Sequence, residues 1–213
     1  MRAMVCRELT GIGSLRLEDA PTPVPTAGQL QLTVRACGVN FADSLITRGQ
    51  YQVQPQPPFS PGFEVAGEVS ALGEGVTGFA IGDRVIAITP HGGYAEQVAV
   101  NVERCVAMPA AMPWAHGAAF PVVFGTSHIA LWHRARLQPG ETLVVHGASG
   151  GVGLTAVAIG KQLGATVIAT ASSPDKLAVA REHGAEQLID TSREDVRERI
   201  KTLTGGRGAD VVY

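Results

Sequence analysis

Residues 142–153 read Thr-Leu-Val-Val-His-Gly-Ala-Ser-Gly-Gly-Val-Gly. A short apolar, β-branched run stops at a glycine-rich turn, and a helical pattern begins at once. Gly147, Gly150 and Gly153 leave room for a pyrophosphate to approach the backbone, and they let a new helix pack close to the strand before it. The orphan N–H groups and positive end of that helix then face the phosphates, with Ala148, Ser149, Gly151 and Val152 completing the binding turn. The spacing is a variant of the dinucleotide fingerprint, with G-x-x-G-x-x-G in place of G-x-G-x-x-G. The chemistry this pattern serves is the holding of a dinucleotide.

The second strand of such a unit decides which dinucleotide. A free ribose 2′-OH calls for Asp or Glu at that strand's end, about 20 residues beyond the glycines. Here the strand ends Ala169-Thr170-Ala171-Ser172-Ser173, with hydroxyls and no carboxylate. Ser173-Pro174-Asp175 is a helix start, a cap followed by proline. Lys176 follows in the first turn, where a cation opposes the helix dipole unless an anion sits there. Ser172, Ser173 and Lys176 therefore point to a ribose 2′-phosphate, and so to NADPH. His146, under the turn, reads as a buried, satisfied histidine.

The elements that must position these residues follow two grammars. Up to about residue 110, short alternating strands (30–36, 65–69, 83–88 and a turn plus strand over 92–100) are separated by glycine turns, as in a compact, mostly β domain. From about 113, residues 114–119 and 126–136 read as helices. Strands 142–146, 166–170 and 187–189 then alternate with helices 151–163, 174–183 and 193–203, and 210–213 opens a fourth strand. That order predicts a parallel sheet with right-handed crossovers. The expected fold is α/β, with a β domain over 1–120 and a doubly wound (Rossmann) domain over 121–213. A complete sheet of the latter kind has six strands, so only its first half is expected before Tyr213.

Composition removes whole classes of function. The net charge is −2 and the basic residues are scattered, which argues against nucleic acid and against an anionic membrane surface. No apolar run is long enough to span a bilayer, and charges interrupt the N-terminus where a signal peptide needs its apolar core. The three cysteines, Cys6, Cys37 and Cys105, are widely spaced with no C-x-x-C, so neither a disulfide framework nor a structural zinc site is expected. These features predict a cytoplasmic protein with reduced thiols. His128 and His133 lie five apart, on different faces of an α-helix.

Several segments resemble one family. Cys37-Gly38-Val39-Asn40-Phe41-Ala42-Asp43, Arg48-Gly49-Gln50-Tyr51, residues 58–67 (Pro-Phe-Ser-Pro-Gly-Phe-Glu-Val-Ala-Gly), Gly82-Asp83-Arg84-Val85, Phe124-Gly125-Thr126-Ser127 and the glycine turn are together similar to the zinc-independent quinone oxidoreductase branch of the medium-chain dehydrogenase/reductases. The resemblance implies a chaperonin-10-like first domain, a nucleotide domain and a longer chain that forms homodimers, with reduced turnover expected of these 213 residues alone. Zinc-dependent relatives carry Cys where this chain has Asn40 and His where it has Phe63, so no metal is expected.

By the same resemblance Asn40 lies near the nicotinamide, where it could bond a ribose or substrate oxygen, though it could also be a turn residue. Tyr51 matches a position lining the substrate cleft, with an ordinary half-exposed aromatic as its alternative. Thr126 matches a nicotinamide contact, with helix capping as its alternative. Asp43 and Glu64 read as loop braces rather than catalytic acids. The implied activity is NADPH-dependent hydride transfer to a small-molecule acceptor, a quinone. The rivals are reduction of an enoyl thioester or α,β-unsaturated carbonyl, and a non-catalytic nucleotide-binding protein.

Overall fold

Short antiparallel pairings open the chain. In the computed structural model, which describes residues 1–213, β1 (Arg2–Val5) pairs with β2 (Arg16–Asp19). The main sheet of the first unit is built from β3 (Gln29–Cys37), β4 (Glu64–Leu72), β5 (Arg84–Ile88), β6 (Gln97–Asn101) and β7 (Cys105–Ala107). Its strand order is β6-β3-β4-β5-β7, antiparallel throughout. Alternation along β3 buries Leu30 and Leu32 against Val65, Val69, Val85, Val98 and Val100, which form the core of this sheet.

Between β3 and β4 the chain forms a helix, α1 (Phe41–Ile46). The sequence does not announce it, because six residues are too few to show a period. A second short helix, α2 (Trp114–Ala119), packs Ala118 with Ala66, Ile86 and Met108.

The chain divides into two compact units, Met1–Val122 and Val123–Tyr213. In the second, β8 (Thr142–Val145), β9 (Thr166–Ala171), β10 (Gln187–Asp190) and β11 (Val211–Val212) form a parallel sheet ordered β10-β9-β8-β11. A helix α3 (Pro121–His128) precedes this sheet, and the crossovers are α4 (Gly151–Gln162), α5 (Pro174–Glu182) and α6 (Val196–Leu203). β8 is buried along its whole length because both of its faces are covered. Leu143 and Val145 pack on one side with Ala156 and Val157 of α4. Val144 packs on the other with Ile168, Ile189 and Ile200 of α6.

Three expectations need correction. The helix expected over 126–136 begins earlier, as α3, and widens into a π-helical turn over Ile129–Arg134. The wider turn needs more residues per revolution. It therefore brings His128 and His133 together, with ring centroids 5.6 Å apart, rather than onto different faces. The helix expected from 193 starts at Val196 with Asp195 as its cap. Upstream, Asp190 Oδ1 accepts from both Ser192 N and Ser192 Oγ, and Glu194 Oε1 accepts from Asp190 N, so these residues form a turn instead. His146 is exposed rather than buried, because β8 has ended before it.

Candidate functional site

In the second unit the glycine turn joins β8 to α4. Gly147 takes φ +57°, a conformation few side chains tolerate, and its carbonyl accepts from Gly150 N at 2.9 Å. A Cβ on Gly153 would run into Gly147 O and lie 2.8 Å from Ala148 Cα, so only glycine lets α4 start this close to the turn. Ala148 is fully buried and its N–H donates to Thr170 O at 3.0 Å, tying the turn to β9. Gly150 caps α4 without any side-chain bond. The N–H groups of Gly151, Val152 and Gly153 therefore head a helix whose N-terminal donors no side chain satisfies. Ser149 is half-buried, and Gly150, Gly151 and Val152 are exposed. Beside the turn, His146 Nδ1 lies 3.1 Å from Thr170 Oγ1.

At the end of β9 the chain turns into α5 through Ser172 and Ser173. Lys176 Nζ donates to Ser172 Oγ at 3.1 Å, and Lys176 N reaches Ser173 Oγ at 3.5 Å. Ser172 and Lys176 are exposed. The only carboxylate in this first turn is Asp175, on α5 itself rather than at the strand end. Thr126 is exposed within α3, several residues past its start, so it is not a helix cap.

In the first unit the side chains with chemistry bind one another. Asn40 caps α1; its N–H donates to Asp43 Oδ2 at 2.7 Å, and its Nδ2 donates to Glu64 Oε1 at 2.8 Å. The other oxygens are also engaged. Asp43 Oδ1 accepts from Gly62 N at 3.1 Å, and Glu64 Oε2 accepts from Val122 N at 2.8 Å. Asp43 is 4% exposed and Glu64 1%. A Cβ on Gly38 would overlap the Glu64 carboxylate, so the glycine makes the space Glu64 fills.

This burial moves several protonation equilibria. Burial pushes Glu64 up, partly offset by the bonds from Asn40 and Val122, with nearby Asp43 adding to the rise. Burial, helped by Asp43 and Glu64, pushes the Cys37 thiol up to about 12, which makes it inert near neutrality. The Tyr94 phenol is raised by burial and by the nearby Asp43 carboxylate. Nothing in the sequence marked Tyr94, because its partner lies fifty-one positions earlier and only the fold brings them together.

Tyr51 is half-buried, its ring 5.1 Å from that of Phe63 at 58°, against a small core of Cys6, Ile46, Phe59 and Phe63. Phe63 is thus a packing residue. No three His, Cys, Asp or Glu side chains group as a metal ion would require. No helix is long and apolar enough to cross a membrane.

Two family models match this chain: "Alcohol dehydrogenase GroES-like domain" over residues 26–110 and "Zinc-binding dehydrogenase" over residues 151–213. A quinone oxidoreductase of Rattus norvegicus is 36% identical over 214 residues, spanning 100% of this chain and 65% of the relative. Among solved structures, the quinone oxidoreductase of Thermus thermophilus, solved also with NADPH, is 38% identical with a TM-score of 0.86, covering 100% of this chain and 65% of that one. The CurK enoyl reductase is 34% identical with a TM-score of 0.90, covering 99% and 66%. The chain spans 58% to 65% of the length of the curated relatives it matches. With a GroES-like unit followed by a parallel sheet that opens on a glycine turn, the chain belongs to the medium-chain dehydrogenase/reductase superfamily, in its quinone oxidoreductase branch.

Proposed function

We propose that the second unit holds NADPH and that the protein passes a hydride from it to an electron-poor acceptor, a quinone. The observation that carries this reading is the start of α4 at a glycine turn, where no side chain caps the first N–H groups and Gly150, Gly151 and Val152 are exposed. Such donors suit a pyrophosphate. The Ser172–Lys176 pair supplies hydroxyl and cation for a 2′-phosphate, where a carboxylate would repel one.

When bound, NADPH supplies the hydride itself. The rest is positioning by this chain. The phosphates are held at Gly147, Ser149, Gly150, Gly151 and Val152, with Ala148 and Gly153, both buried, shaping the turn beneath them rather than touching the ligand. The adenosine end is held at Ser172, Ser173 and Lys176. Thr126 contacts the nicotinamide. In the first unit, Asn40 spends one amide hydrogen on Glu64 and keeps the other for a ligand oxygen. Asn40 and Phe63 lack the donor atoms zinc prefers, so the acceptor needs its own electron deficiency. A quinone has it.

The second reading is reduction of an enone or enoyl thioester. Tyr51, a phenol at the edge of an apolar cluster, is the observation that favours it, together with the likeness to an enoyl reductase. Calorimetry with NADPH and NADH tests the cofactor. NADPH is expected to bind one to two decades more tightly, the worth of a charge-assisted phosphate contact at roughly 1.5–3 kcal/mol. Equal affinities would overturn the assignment of the 2′-phosphate site.

A further inference from the structure

A buried knot of hydroxyls in the second unit is used by nothing described so far. Ser127, fully buried in α3, has its Oγ 2.7 Å from Thr155 Oγ1, 2.9 Å from Val152 O and 3.2 Å from Tyr213 Oη. Thr155, 6% exposed in α4, places its Oγ1 3.0 Å from Val123 O, 3.0 Å from Val152 O and 3.3 Å from Gly151 O. The protons can all be placed. Tyr213 donates to Ser127, Ser127 to Val152 O or to Thr155, and Thr155 to Val123 O, so no polar atom is orphaned.

The knot gathers three elements around the glycine turn. Val152 and Gly151 belong to the first turn of α4, and Ser127 and Val123 to α3. Tyr213 follows β11, and its backbone bonds to Val144 O and from His146 N, next to Gly147. Thr126, exposed, immediately precedes buried Ser127. The place of Thr126 relative to the phosphate-binding turn is therefore set by a side-chain tie rather than by apolar contact alone.

We infer that Ser127 and Thr155, with Tyr213, are positioning residues that register the nicotinamide-contacting helix against the phosphate-binding turn. The inference rests on the proposed cofactor reading and deepens it. A ligand that touches both elements feels the register; one that touches only the turn and the adenosine end does not. Rigid, fully satisfied hydroxyl networks suit this task, because a displaced member leaves its partners unpaired in a dry site.

The experiment measures binding of NADPH and of 2′,5′-ADP, which lacks the nicotinamide half, by calorimetry. Thr155→Val keeps the shape and removes the hydroxyl. It is expected to weaken NADPH by roughly three- to ten-fold, one hydrogen bond's worth, while 2′,5′-ADP changes by less than about two-fold. Thr155→Ser, which keeps the hydroxyl, restores the NADPH affinity. Ser127→Ala and Tyr213→Phe follow the pattern of Thr155→Val, and Tyr213→Phe, losing a single oxygen from a half-buried ring, guards against a variant that does not fold. Equal weakening of both ligands, or no change in the ratio of their affinities in any variant, overturns the positioning role. Failure of 2′,5′-ADP to bind the unaltered chain overturns instead the cofactor reading beneath it.

Discussion

The two units treat polar side chains in opposite ways. In the first, Asn40, Asp43 and Glu64 are buried or half-buried, and each spends its hydrogen bonds on the others or on the backbone of Gly62 and Val122. In the second, the groups of most interest are not side chains. They are N–H donors at the start of α4, left open by an N-cap without a side-chain bond, beside an exposed lysine and serine. In the first unit the carboxylates hold a loop, as their sequence context suggests; in the second, glycines leave backbone N–H groups exposed at a helix start. Polar groups satisfied by one another hold the fold; those left facing solvent are free to take a ligand.

The contrast is sharpest in stability. Glu64→Ala takes the acceptor from Asn40 Nδ2 and from Val122 N–H and leaves a void behind Gly38. It is expected to destabilise the chain by roughly 3 kcal/mol, read as a lower urea midpoint at unchanged slope. Lys176→Ala, at an exposed position, is expected to leave the midpoint within about 0.5 kcal/mol. If the two variants unfold alike, the Asn40–Glu64–Val122 tie is not the brace described here.

Ligand binding should invert that ranking. Lys176→Ala removes the cation beside Ser172, so NADPH is expected to weaken by about one to two decades while NADH barely changes, and the preference between them closes. A preference that survives intact would remove Lys176 from the adenosine end and leave its bond to Ser172 as a helix-start contact only.

Why the second unit was the more legible follows from the range of its signals. The glycine turn, the strand ends and the cap at Ser173 are local, each readable within a few residues, and the parallel order follows from strands and helices that alternate. What was missed depends on distant partners or on local irregularity. Tyr94 acquires its meaning from Asp43 and Ser127 from Thr155 and Tyr213, and no window along the chain contains such pairs. The π-helical turn that joins His128 to His133 breaks the very period used to separate them. His146 was misplaced for the opposite reason. One residue's difference in where β8 ends moves a side chain from the core to the surface.

The smallest expected effect bears on the acceptor and falls on Tyr51, which belongs to neither pattern. It is half-buried against Phe63, neither locked into a polar network nor part of the glycine turn. Reduction of a quinone delivers its proton to oxygen, which water can supply, so no placed acid is required. Reduction of an enoyl group must protonate carbon, a slower event for which a positioned donor is worth about 100-fold or more. Tyr51→Phe keeps the ring on Phe63 and removes only the hydroxyl, so packing is unchanged and the two chemistries separate. NADPH-dependent reduction of a simple benzoquinone is expected to survive this change within a factor of about three. A fall of about two decades, with good turnover of enals or enoyl thioesters by the unaltered protein, would give Tyr51 the proton and the site to enoyl reduction.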